Sequence, residues 1–140
     1  MIDRSLLEIV EYKGVGYKPL IDFGGWRVAV LRYIDELLPE NIIAMQRHDE
    51  TDEVFVLLQG RCILFLGAGG ESVEHIHTVD MEPLKLYNVK RYCWHTHTLS
   101  EDAVVLIVEN RDTTEKNSPS IPLTDVQQAS IIETARALWK

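Results

Sequence analysis

Short apolar runs, each closed by a turn signal, follow one another from Trp26 to Val108, and this succession narrows the fold more than any other feature. The runs are Trp26–Ile34 (WRVAVLRYI), Ile42–His48, Val54–Leu58, Arg61–Leu66 (RCILFL), Val73–Val79, Leu84–Val89, Trp94–Thr98 (WHTHT) and Ala103–Val108 (AVVLIV). Between them lie a loop with Pro39, the pair Gln59-Gly60, the cluster Gly67-Ala68-Gly69-Gly70, the turn Met81-Glu82-Pro83 and the polar turn Ser100-Glu101-Asp102. Runs of this length, rich in branched and aromatic residues, read as strands, and the glycine cluster reads as a hairpin. Turn signals at intervals of roughly 8–12 residues predict a β-sandwich or small barrel rather than alternating β-α units. The fold class is all-β.

The two ends of the chain are different. Ser5–Tyr12 (SLLEIVEY) has the composition of a further strand, of the kind tied down by another sheet or another subunit, before Gly14, Gly16 and Pro19 break the pattern. Arg111–Pro122 is polar, contains Pro119 and Pro122, and reads as a surface loop. After it, Thr124 with Gln127 three residues on makes a capping box. Gln128, Ile131, Ile132, Ala135, Leu138 and Trp139 then recur at helical spacing, predicting a C-terminal helix over about 124–139 that covers the barrel or a subunit contact.

A chain of 140 residues, 46% hydrophobic, has the size and apolar content of one domain, with the barrel core at about 26–110. A net charge of −8 and the lack of any basic run argue against nucleic acid as a partner. The start MIDRSLLEIVEY is not a signal peptide, and no apolar run is long enough to span a membrane. Cys62 and Cys93 lie in separate segments without C-x-x-C spacing, and two buried thiols in a reducing cytoplasm is the plainer reading than a disulfide. The expectation is a single-domain cytoplasmic protein.

Chemistry concentrates in Gln46–Gly60, QRHDETDEVFVLLQG. Gln46 and His48, two apart, share a face on a strand, and Glu53 stands directly before the buried run. A second element comes some forty residues later in Trp94-His95-Thr96-His97. There His95 and His97 share a face, and a neighbouring antiparallel strand can bring either beside His48. His75 and His77 form a second H-x-H, without a carboxylate and an apolar strand after it, and are expected as an exposed pair at a strand edge. Trp94 and Phe55 are expected in the core.

Gln46, His48, Glu53 and Gly60 in the pattern Q-x-H-x4-E-x6-G, with Trp94-His95 downstream before an apolar strand, resemble the two motifs of the cupin superfamily. The resemblance covers Ile42 to Asn110, about half the chain. It implies a jelly-roll barrel (a double-stranded β-helix), commonly dimeric, with a metal bound inside. On it, His48, Glu53 and His95 fall on metal-ligand positions, and Gln46 stands where the first motif has its first histidine. Lys90 and Tyr92 stand where the second motif has proline and glycine.

Two imidazoles and one carboxylate make the donor set of a facial triad, suited to Fe and open to Mn, Ni or Zn, with Gln46 offering a neutral amide oxygen. Thr96 or Asp102 is expected to fix an imidazole tautomer from behind. His97, with an ordinary histidine pKa near 6.5, is the candidate proton donor or acceptor. Two functions follow. One is a divalent-metal-binding cupin acting on a small polar metabolite, an organic acid or sugar derivative. The other is a non-catalytic barrel that binds or senses a small ligand without metal, with Gln46, His48 and His95 as hydrogen-bonding groups. The resemblance implies a homodimer through the N-terminal strand or an exposed sheet edge.

Overall fold

The computed structural model describes residues 1–139. Ten strands form two five-stranded antiparallel sheets. One sheet runs β1 (Tyr17–Phe23), β2 (Trp26–Arg32), β9 (Val104–Asn110), β4 (Glu53–Gln59), β7 (Leu86–Val89); the other runs β10 (Ser120–Pro122), β3 (Ala44–Gln46), β8 (Trp94–Leu99), β5 (Cys62–Ala68), β6 (His75–Asp80). A single α-helix, α1 (Asp125–Leu138), follows. This is the jelly-roll barrel the turn spacing and motifs predict.

The strand rhythm explains the layers. Side chains alternate across a strand. Ala29 and Leu31 of β2, Phe55 and Leu57 of β4, Val105 and Ile107 of β9, Cys62 and Leu64 of β5, and Leu99 of β8 therefore meet between the sheets as one core. The opposite set on the second sheet (Met45, Ile63, Phe65 and Trp94) packs outward against Ile131 and Ala135 of α1. β5 is covered on both faces, which is why its sequence is apolar without alternation. Thr124 caps α1 as predicted, its hydroxyl accepting from the Gln127 N–H while Gln127 Oε1 accepts from the Thr124 N–H. The helix lies on the outer face of the second sheet.

Three local expectations are corrected. Ser5–Tyr12 is a turn at residues 4–6 followed by irregular chain, not a strand. β1 comes later, on Tyr17–Phe23, and holds an edge, where Pro19 is tolerated because its missing N–H has no ladder partner to lose. Arg111–Pro122 is not all loop, since Ser120–Pro122 pairs with β3. The strand expected over Ile42–His48 is only Ala44–Gln46, so His48 sits just beyond it in the following bend. His75 and His77 lie on the edge strand β6 and are exposed, and Trp94 and Phe55 are buried, all as expected.

The inward positions turn from apolar to polar toward one end of the barrel. Along β4 they read Leu57, Phe55, Glu53; along β9 Val105, Ile107, Glu109; along β8 Leu99, His97, His95; along β2 Leu31, Ala29, Arg27. The same alternation that builds the core thus carries four strands' polar side chains into one mouth.

Candidate metal centre

That mouth is a cavity of about 350 Å³ lined by Gln46, His48, Glu53, His95 and His97, with Tyr17, Arg27 and Glu109 on the opposite wall. His48, Glu53 and His95 are each buried and offer three ligand atoms within 4.8 Å of one another. Both imidazoles point Nε2 at the same oxygen, Glu53 Oε1, at 3.1 Å from His48 and 2.9 Å from His95.

The partners behind the rings fix what those nitrogens carry. His95 Nδ1 lies 3.0 Å from the Cys93 carbonyl, which can only accept, so the Nδ1 proton is there. His48 Nδ1 lies 2.7 Å from Ser118 Oγ. Asn117 gives both amide hydrogens to Glu50 and the Asp112 carbonyl, so its Oδ1 accepts, and the Ser118 hydroxyl donates to it. Ser118 Oγ is left to accept from His48 Nδ1. Each neutral ring then presents an Nε2 lone pair to a carboxylate oxygen. Such a trio holds together only with positive charge among its members, from protons on the rings or from a cation. Burial opposes ionisation of Glu53, yet the two imidazoles outweigh it and hold the carboxyl far below the usual range. Burial likewise opposes a charged His95, and Glu53 overrides it and raises the pKa. The tautomer-fixing groups are Cys93 O and Ser118, not Thr96 or Asp102. Thr96 points to the other face of β8, and Asp102 accepts from Ser100 in a distant turn.

Gln46 is the cross-strand partner of His95 and lines the cavity. Its amide nitrogen donates to the Ser118 carbonyl at 3.3 Å, which leaves the oxygen as its ligand atom. His97 lines the cavity, and its Nδ1 is buried with no hydrogen-bond partner among the described residues. Burial, helped by His95, pushes its pKa down to about 4. The ring is therefore neutral at pH 7, where an ordinary pKa would have suited proton exchange.

No family model matches the chain, and no curated protein sequence does. Solved structures do. Pac13, a nucleoside dehydratase with a β-barrel, superposes with a TM-score of 0.56 at 8% identity over 81% of this chain and 85% of its own. A QdtA 3,4-ketoisomerase variant from Thermoanaerobacterium thermosaccharolyticum, in complex with TDP, gives 0.53 at 16% identity over 85% and 78%. CapF with an inhibitor gives 0.54 at 13% identity, over 79% of this chain and 33% of that one. The chain has the cupin fold.

Within this cupin barrel the departures from the motif are accommodated. Tyr92, at the motif's glycine position, takes the left-handed φ of 70° that glycine would adopt. Its N–H donates to the His48 carbonyl at 2.9 Å, and its ring packs under the Arg47 and Arg91 guanidinium groups. The turn before His95 therefore forms without glycine or proline. Both cysteines are free, and burial pushes the Cys62 thiol up to about 12, so neither is poised as a nucleophile.

Sequence reasoning missed Ser118, Tyr17, Arg27 and Glu109. Ser118 comes from a segment read as loop, and Tyr17 from one read as broken by glycine and proline. Glu109 carried a signal, being an acid at the inward parity of Val105 and Ile107. Arg27 is its registered cross-strand partner.

Proposed function

We propose that this cupin binds a divalent transition metal through His48 Nε2, His95 Nε2 and Glu53, with Gln46 Oε1 at the edge of the set, and acts on a small polar metabolite. One observation carries the reading: two imidazole Nε2 atoms and a carboxylate oxygen converge on one point, with both Nδ1 atoms engaged by partners behind the rings. That is a ligand set pre-organised for a cation, and its nitrogen–oxygen composition suits Fe, Mn, Ni or Zn. When bound, the metal supplies Lewis-acid polarisation of a substrate oxygen. The chain's own groups do the rest: Glu53 supplies the anionic donor, Cys93 O and Ser118 hold the rings, and His97 offers a neutral hydrogen-bonding nitrogen to the bound molecule. The structural neighbours include a nucleoside dehydratase and a 3,4-ketoisomerase, which supports a small-molecule role for this fold.

The test is elemental analysis of tag-free protein beside His48→Ala, His95→Ala and Ser118→Ala. We expect near-stoichiometric metal in the wild type, none in either histidine variant, and about 10- to 100-fold weaker binding in Ser118→Ala. Protein that holds no metal and takes up none on titration with Fe(II), Mn(II), Ni(II) or Zn(II) would exclude the metal reading. It would leave a barrel that binds an organic ligand through Gln46, His48 and His95.

A further inference from the structure

Opposite the metal ligands the cavity carries a second polar group of residues that the metal reading does not use. Glu109 ends the inward row of β9. Val108 pairs with Val54, so Glu109 and Glu53 follow on adjacent strands, and on its other side Glu109 pairs with Arg27. Like charges on neighbouring strands are unfavourable unless each has partners of its own. The Glu109 carboxylate is held firmly: Tyr17 Oη lies 3.2 Å from each of its oxygens and Arg27 Nη2 lies 3.4 Å from Oε1. Arg27 Nε donates to Tyr17 Oη, which leaves the phenol proton for Glu109.

We propose that Glu109 is a catalytic base and acid of this pocket, moving a proton to and from the carbon beside the carbonyl of a small uncharged hydroxycarbonyl compound, with Tyr17 and Arg27 as its positioning residues. The proposal rests on the metal reading above. The ligand class follows from the wall. Glu53, Glu109 and Glu115 line the cavity against one cation, Arg27, and each nitrogen of that guanidinium is already engaged, by Tyr17 Oη, the Arg111 carbonyl, and the Thr113 carbonyl with Glu109. A phosphate or carboxylate held against this wall would face Glu109 and Glu115 beside an arginine that is already paired. A cavity of about 350 Å³ holds a molecule of sugar size or smaller.

The step balances without any co-reactant. A Glu109 oxygen takes the proton, the electron pair of the C–H bond moves through the new C=C onto the carbonyl oxygen, and the enolate reverts when Glu109 returns a proton to carbon. Burial and the Glu53 charge beside it, with Arg27 opposing, raise the Glu109 carboxyl above its ordinary range in the metal-free protein. The groups facing it are Glu53, Arg27 and Tyr17 from its own sheet, Glu115 from the segment before β10, His48 from the bend after β3, and His95 and His97 from the facing strand β8.

The experiment is deuterium uptake at carbon by dihydroxyacetone in D₂O, followed by proton NMR with zinc-loaded protein whose metal content is measured in the same sample. We expect catalysed exchange that rises with pH as the Glu109 carboxyl ionises. Glu109→Gln, which keeps the shape and one acceptor oxygen, should slow it by about 100-fold or more with zinc content unchanged. Tyr17→Phe removes a donor to the ionised carboxylate and should shift the pH profile upward, an effect that loose packing alone does not produce. Wild-type exchange rates in zinc-loaded Glu109→Gln, or no exchange by zinc-loaded wild type, overturn the proposal. Wild type that holds no zinc overturns the metal reading instead, and elemental analysis tells the two apart.

Discussion

At the scale of single residues, the barrel mouth is a problem of charge. Glu53 and Glu109 sit on neighbouring strands, and the structure treats them oppositely. Glu53 is held ionised by two imidazoles, whereas burial and the nearby Glu53 charge raise Glu109 to about 7. The sign of the consequence is definite. A carboxyl raised in the folded state from an unfolded value near 4.3 adds no cost below that pH, an increasing cost from there to about 7, and a constant one above. Glu109→Gln removes that cost. Metal-free Glu109→Gln should gain on the wild type between pH 4 and 7, by on the order of 2 kcal/mol at pH 8, in urea unfolding. Parallel stability curves for the two proteins would mean that Glu109 ionises normally. Glu53 behaves in the opposite way: its stabilisation is present above the unfolded value and is lost as pH falls through the lowered one.

Elements place these residues, and turns place the elements. Gly60 closes the motif at the turn from β4 into β5 with a φ of 73°, and a Cβ there would lie 2.7 Å from Ala103 Cα and 2.8 Å from Ala103 N. Backbone cannot step aside as a flexible side chain can. Gly60→Ala should therefore cost at least ~2 kcal/mol, from left-handed strain together with the clash. A midpoint shift under ~0.5 kcal/mol in denaturant would show that the turn is adjustable. Tyr92 is the contrasting case. It adopts the same region of backbone space without glycine, because its N–H is anchored on His48 O and its ring is stacked by two arginines. One of the motif's glycines is needed for space and the other only for backbone freedom.

For the whole molecule, the open question is what covers the N-terminal segment. Leu6 and Ile9 are 80% and 83% exposed, Leu7 and Val10 are also exposed, and this stretch forms no strand. Beside it β1 is the edge of its sheet. An exposed apolar segment next to an open edge suits association with a second copy. We expect a homodimer in sedimentation equilibrium that becomes monomeric when residues 2–12 are deleted. A wild-type monomer at micromolar concentration would sink this expectation.

Taken alone, the sequence determined the fold class and pointed to three residues that the structure brings together. Turn spacing and short apolar runs dictate two antiparallel sheets, and the capping box dictates where α1 begins, because these are local effects of backbone geometry and side-chain periodicity. His48, Glu53 and His95 were legible because their spacing along the chain resembles the cupin motifs. The alternation of β9 was hidden in a run that read as uniformly apolar, so Glu109 went unnoticed. Only tertiary structure decided that Ser118, seventy residues from His48, sets its tautomer. It likewise decided that β1, read as broken chain, supplies Tyr17, that Arg27 and Glu109 meet, and that His97 is buried deeply enough to stay neutral. Those outcomes depend on register between strands distant in sequence and on the desolvation of a shared cavity, and neither is carried by any local stretch of residues.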